Sequence, residues 1–172
     1  STLTQLLENN LLTKKQSRTL IKFTAVRNPF DSLVSLYQKR RKKYSSLIAD
    51  PASWVYRIPK YVEDMEYCRT HTFNEWIRKH YLRRSIKRLL GGNPSMYRRF
   101  TKGMDIVLRF ENVQDDFQEL LQKANIPMKL TIPTINITKD RRANYREYYD
   151  NSSRRIVEYA LQDDLNRYGY KY

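Results

Sequence analysis

Residues 19–37 constrain the fold more than any other stretch. Thr19-Leu-Ile-Lys-Phe-Thr-Ala-Val26 is a β-branched, apolar run of strand length. Its near-continuous hydrophobicity suits a strand buried on both faces, as in a parallel sheet. Arg27 ends the run, and Asn28-Pro29 supplies an N-cap and a first-turn proline. Asp31 adds a negative charge where a helix N-terminus welcomes one. Phe30, Leu33, Val34 and Tyr37 then fall on one helical face. The order is strand, sharp turn, helix.

The rest of the chain extends that alternation. Leu3, Leu6, Leu7 and Leu11 predict a short amphipathic helix over 2–13. Residues 45–71, with Pro51 and Pro59, read as an irregular excursion or lid. Thr72-Phe-Asn-Glu75 is a capping box that opens a helix, or a helix pair, running to Leu90 and stopping at Gly91-Gly92. Asp105-Ile-Val-Leu-Arg-Phe110 is a second short strand, followed by a helix burying Phe117, Leu120, Leu121 and Ala124. Residues 129–138 alternate Thr and Ile around Pro133, which predicts an extended segment at a sheet edge. The last helix starts near Asp150–Ser153 and ends at Gly169. Strands alternating with helices define an α/β layer structure. With 172 residues and no linker or repeat, we expect one domain over 1–172, with 45–103 as a helical insertion or lid.

Charge narrows the partners. Lys and Arg number 33 against 18 Asp and Glu, a net charge of +15, so anionic partners are expected: a phosphorylated nucleotide, an acidic glycan, nucleic acid or a membrane surface. Glycine is scarce, four in the chain, where average usage gives roughly a dozen. Neither G-x-x-x-x-G-K-[ST] nor G-x-G-x-x-G occurs, so the two commonest nucleotide loops are excluded. One cysteine, Cys68, rules out an internal disulfide and any multi-cysteine metal site. Its sequence setting is that of a small apolar residue rather than a nucleophile. His71 and His80 have no carboxylate or second His at ligand spacing, so we expect no metal and no triad. The fourteen tyrosines, several in 145–149 and 168–172, are expected to pack at the edge of the core. No run approaches the ~18–20 apolar residues of a membrane span. A single cysteine sets the expectation of a cytoplasmic protein; an anchor ahead of Ser1 would change it.

The strongest chemical constellation is Val26-Arg-Asn-Pro-Phe-Asp-Ser-Leu-Val-Ser-Leu-Tyr37. Arg27 closes a strand at its carboxyl end, where open α/β sheets bind ligands. The helix that follows directs its first N–H groups at the same spot. Ser35 can lean back toward it, because helical side chains tilt to the N-terminus. A guanidinium, a hydroxyl and a helix N-terminus suit a phosphate monoester. On residue types alone, Arg27 paired with Asp31 and Ser35 idle on a helix face is equally compatible.

The segment resembles the 3′-phosphate-binding motif of sulfotransferases: Arg27-Asn-Pro, Ser35 eight residues on, then Tyr37. Phe23-Thr-Ala-Val26 and Phe30-Asp-Ser-Leu-Val-Ser35 are similar to the carbohydrate-sulfotransferase-like, family 2 branch. Thr72-Phe73, Val107-Leu-Arg-Phe-Glu111 with Asp116-Phe117, Asn136-Ile-Thr138, Tyr145-Arg-Glu-Tyr-Tyr-Asp150 and Asp164-Leu-Asn-Arg-Tyr-Gly-Tyr170 follow in the branch's order. The resemblance implies a P-loop-kinase-like fold and a donor, 3′-phosphoadenosine 5′-phosphosulfate (PAPS), with adenosine 3′,5′-bisphosphate as product. It implies a hydroxyl or amine acceptor on a carbohydrate or small molecule, and no specific nucleic acid. It implies that Arg27 and Ser35 hold the 3′-phosphate. Thr138, Lys139, Arg141 and Arg142 occupy the stretch that in relatives folds over the nucleotide. Glu111 more naturally positions a helix than touches the acceptor. Lys39–Lys43, with Arg83, Arg84, Lys87 and Arg88, could bind an acidic acceptor or simply be solvated.

One feature of the family has no match here. The 5′-phosphosulfate loop and the histidine that assists it should precede Arg27, and none of residues 1–26 resembles them. The catalytic groups are therefore expected upstream of Ser1, and the 172 residues alone are expected to be inactive. Two other readings stand beside this one: a non-catalytic domain binding polyanions or nucleic acid, and a degenerate relative retaining only the 3′-phosphonucleotide site.

Overall fold

The computed structural model describes residues 2–43, 47, 50–133 and 144–172. The elements in chain order are α1 (Leu3–Glu8), α2 (Lys14–Thr19), β1 (Phe23–Val26), α3 (Pro29–Gln38), α4 (Pro59–Thr70) and α5 (Phe73–Leu89). They continue with α6 (Arg98–Thr101), β2 (Ile106–Arg109), α7 (Val113–Lys123), α8 (Asn151–Ala160) and α9 (Gln162–Tyr168). The α3 helix runs on into a π-helical turn, Lys39–Lys43. The fold is mixed α/β, and the chain divides into two compact units.

The first unit comprises residues 1–28 and 95–135. Here β1 and β2 pair in parallel, Phe23 opposite Ile106 and Val26 opposite Arg109. The Asp105 carboxylate fixes that register at the strands' start, accepting from the Lys22 N–H and lying 2.7 Å from the Lys22 ammonium. A small core of Leu108, Leu120 and Leu121, with Ile106, Val113 and Phe117 against it, joins β2 to α7. Asp116, in the first turn of α7, accepts from the Arg109 N–H at 2.6 Å and so ties the helix to the strand end.

Three expectations change in this unit. The predicted helix over 2–13 stops at Glu8, and a second helix opens at Thr13 through its own capping box with Gln16. That second helix takes Thr19, and Leu20 caps it, so the predicted strand shortens to four residues. Leu20 and Ile21 are left 53% and 43% exposed, and Phe23 47%. Burial on both faces therefore fails: the apolar run is divided between a helix end, a bend and a strand in a two-stranded sheet. Residues 129–133 form no strand either, and the rest of that expected segment, 134–138, lies outside the described residues. Side-chain amides of Gln114 and Gln118 on α7 bond the backbone of Met128, Leu130 and Ile132, doing what a sheet edge would have done.

The second unit comprises residues 29–94 and 136–172. Phe30, Leu33, Val34 and Tyr37 of α3 are all buried, as their spacing predicts. The Phe30 ring meets Tyr145, Tyr149 and Tyr172 at centroid distances of 6.4, 5.5 and 4.9 Å. Such aromatic pairs add about 0.5–1.5 kcal/mol each beyond area burial. The Thr72–Glu75 capping box forms as predicted. From it α5 packs on α8, joining Phe73, Trp76, Ile77 and Tyr81 to Val157, Ala160 and Leu161 in the core. Asp150 caps α8 through the Ser153 N–H and also pairs with Arg78 on α5. The predicted last helix is two, α8 and α9, with Gly169 ending the second in the left-handed region at φ +69°. The excursion over 45–71 contains the regular helix α4, opened by Pro59 at its first position. Its apolar face carries only Met65 and Cys68 as buried apolar residues, too weak a stripe to announce a helix.

Cys68 lies at the centre of that face with no exposure. Burial first, and the Asp64 carboxylate second, push its thiol up to about 12. We expect no alkylation of the native protein by iodoacetamide at pH 8 over hours, because the thiolate is the nucleophile. Labelling at the rate of the urea-unfolded chain would contradict the packing.

Candidate functional site

Arg27 follows the last residue of β1 and so stands at the carboxyl end of the parallel pair, beside the end of β2. Its guanidinium lies over the Phe110 ring at 4.6 Å. A cation held flat on an aromatic face keeps its donors in a fixed fork. The backbone at this corner is pinned twice. The Tyr97 hydroxyl donates to the Arg27 carbonyl, and the Asn28 N–H donates to Glu111 Oε1 at 2.7 Å. Glu111 thus positions the turn that leaves β1. Tyr97 gave no signal in the sequence, lying some seventy residues from Arg27.

Ser35 belongs to the second unit, in the middle of α3, and is buried among Phe30, Leu33, Val34 and Tyr37 of the same helix. A buried hydroxyl on a helix needs a polar partner, which separates Ser35 from a solvated surface serine. Thr138, Lys139, Arg141 and Arg142 lie outside the described residues.

A second cluster is centred on Asp64 of α4. Its Oδ1 accepts from Trp76 Nε1 at 2.9 Å and lies 2.6 Å from His80 Nε2, and its other oxygen pairs with Arg40. Burial alone would raise this carboxyl. The His80 contact, the Arg40 charge and the Trp76 bond outweigh it, and the group is held below the usual carboxylate range. His80 thus gains a carboxylate partner in space, although none stands at ligand spacing along the sequence. Spacing along one helix missed it because Asp64 arrives from α4 and Arg40 from the π-helical turn. One signal was present: Trp76 and His80 stand four apart on α5 and so face the same way. His71 stacks on Tyr67 at 3.7 Å, with its Nδ1 2.8 Å from the Thr70 hydroxyl. Among the described residues no group of three His, Cys, Asp or Glu is arranged to hold a metal. No described helix is long and apolar enough to cross a membrane.

The two basic tracts are not uniform solvated faces. Arg40 points inward to Asp64, with its side chain 16% exposed. Arg41 donates to the Tyr37 hydroxyl. Arg88 pairs with Asp163 at 2.8 Å. Arg84 lies over the Tyr81 ring at 4.6 Å.

These elements belong to a recognisable class. The chain belongs to the sulfotransferase family, whose family model matches residues 2–171. No curated protein and no solved structure matches it. Family membership gives the protein a sulfotransferase role, with a nucleotide donor and an acceptor substrate implied.

Proposed function

We propose that the donor is PAPS and that Arg27 and Ser35 hold its 3′-phosphate. The observation that supports this most directly is Arg27 itself. It ends a parallel strand, its guanidinium is held on Phe110, and it opens the Arg27-Asn-Pro segment within a family match spanning the chain. A planar fork binds a phosphate dianion through two parallel N–H···O bonds, and the Ser35 hydroxyl adds a third donor. These contacts set the donor's register without touching the reacting atoms. In the transfer, the bond between sulfur and the donor's 5′-phosphate oxygen breaks as one to an acceptor oxygen or nitrogen forms. The acceptor's proton passes to a base. Catalysis of this kind rests on positioning and on cations facing the equatorial oxygens, as in phosphoryl transfer.

In this reading residues 1–172 act as one domain, with 45–103 as its helical insertion. Thr138, Lys139, Arg141 and Arg142 are assigned to nucleotide binding by the family resemblance alone. The acceptor is a carbohydrate or small molecule bearing a hydroxyl or amine.

The test is thermal. Adenosine 3′,5′-bisphosphate should raise the melting temperature, and adenosine 5′-monophosphate should do so far less, since only the former carries the phosphate that Arg27 and Ser35 select. Equal shifts with both nucleotides would remove the assignment.

A further inference from the structure

Helix α5 carries two apolar faces, and the core covers one of them. Phe73, Trp76, Ile77 and Tyr81 form the buried face. Leu82, Ile86 and Leu89 recur at i, i+4 and i+7 on the opposite side, and Leu90 caps the helix beside them. Their exposures are 49%, 50% and 72%, with Leu90 at 80%. The flanks of α5 are taken. Trp76 and His80 engage Asp64 of α4, Ser85 donates to the Ile156 carbonyl of α8, and Arg88 pairs with Asp163 of α9. The second stripe therefore points away from the unit's core. A solvent-facing helix side is ordinarily polar, so four neighbouring aliphatic side chains mark a docking surface.

Charge and size select the occupant. Arg83 and Lys87 edge the stripe, both exposed, and among the described residues no carboxylate pairs with either. Glu75, the one acidic residue of α5, stands two turns before Leu82 and is engaged in the Thr72 capping box. The surface is thus apolar and cationic. A second copy would set Arg83 and Lys87 against their own duplicates, on chains that each carry +15. A partner helix would find a seam little more than one heptad long, where paired helices need about three or four. A stable protein interface takes ~20–30 residues a side. A bilayer sets no such minimum: aliphatic side chains enter the headgroup boundary while cations at their edge meet lipid phosphates.

We propose that the Leu82–Leu90 stripe docks the protein on an anionic lipid surface, with the C-terminal half of α5 lying along the headgroups. The helix rests on the bilayer without crossing it. Docking of this kind gives part of the +15 charge a specific place to act. It is independent of the donor assignment.

The experiment measures cosedimentation of the 172-residue protein with phosphatidylcholine vesicles, with and without about 30% phosphatidylglycerol, at about 150 mM salt. Binding is expected on the anionic vesicles and about 10-fold or more weaker on the neutral ones. Arg83→Ala with Lys87→Ala should weaken it by about 25-fold, roughly 5-fold for each cation at an anionic surface. Leu82→Ser with Leu89→Ser should weaken it by about 10-fold, because the aliphatic groups no longer enter the lipid boundary. Leu90→Ser, beyond the last turn, gives a second apolar variant should the pair loosen the helix. Lys14→Ala with Lys15→Ala, removing two exposed charges of α2, should stay within about 2-fold. Melting temperatures are measured on every variant, so that unfolding is not read as lost binding. Equal losses in the stripe and control variants would mean diffuse attraction of a basic protein and would overturn the proposal. So would serine variants that bind as the wild type does, or no binding to anionic vesicles. A dimer in analytical ultracentrifugation, dissolved by Ile86→Ser, would give the stripe to a second copy and overturn it as well.

Discussion

Arg27→Ala should weaken binding of adenosine 3′,5′-bisphosphate by roughly 10- to 150-fold, the range of one charge-assisted contact worth about 1.5–3 kcal/mol. The same substitution should change the affinity for adenosine 5′-monophosphate by no more than about 2-fold, because that ligand lacks the 3′-phosphate and gives the guanidinium no ionic contact to lose. Arg27→Lys should recover only part of the affinity. A lysine restores the charge but not the flat fork that Phe110 supports at 4.6 Å. Calorimetry on the three proteins reads all of this directly. Melting temperatures without nucleotide control for the corner's structure, which Tyr97 and Glu111 pin through backbone atoms rather than through the Arg27 side chain. Parallel losses for both nucleotides would mean that Arg27 organises the corner and does not select the phosphate.

The residues around Arg27 were legible because the signals there are local. A proline at a first helical position and apolar residues at i, i+3, i+4 and i+7 act within one turn or two, and α3 begins at Pro29 and buries Phe30, Leu33, Val34 and Tyr37 accordingly. The Thr72–Glu75 box and the Gly169 stop were legible for the same reason. The Thr13–Gln16 box is equally local, and the apolar run beginning at Thr19 reads as a strand only because a helix end can carry apolar residues as readily. Failure over 59–70 has a different origin. The inward face of α4 mixes Asp64 with Met65 and Cys68, and a helix that buries a carboxylate does not show a clean apolar stripe.

The Asp64 cluster was invisible for a related reason. Its members come from a π-helical turn, α4 and α5, and nothing in one dimension says that Arg40, within a run of five cations, turns inward to Asp64. Charge counting treats the tract as one unit, either solvated or facing an acidic acceptor. Packing makes it heterogeneous: one cation neutralises a buried carboxylate and another braces Tyr37.

That cluster carries the largest stability effect expected in the protein. Asp64→Ala should destabilise the fold by about 3–5 kcal/mol at pH 7, because removing one partner leaves the Arg40 guanidinium uncompensated in a buried site. It also leaves the buried Trp76 N–H without its acceptor. Asp64→Asn should cost less, since an amide oxygen can still accept from Trp76. A second substitution, Arg40→Leu on the Asp64→Asn background, should recover stability by removing the stranded charge. The pH dependence has a definite sign. Asp64 is held below the ordinary carboxylate range, so its contribution is complete above the unfolded value of about 4. It is lost as pH falls through the lower folded value. Urea unfolding of the wild type and of Asp64→Asn should therefore show a gap at pH 7 that narrows below about pH 4, as the unfolded and then the folded carboxyl take up protons. A gap under about 1 kcal/mol, within what an exposed ion pair contributes, would mean that Asp64 is solvated, and a larger one that stays constant down to pH 2 would mean that its charge does not carry the stabilisation.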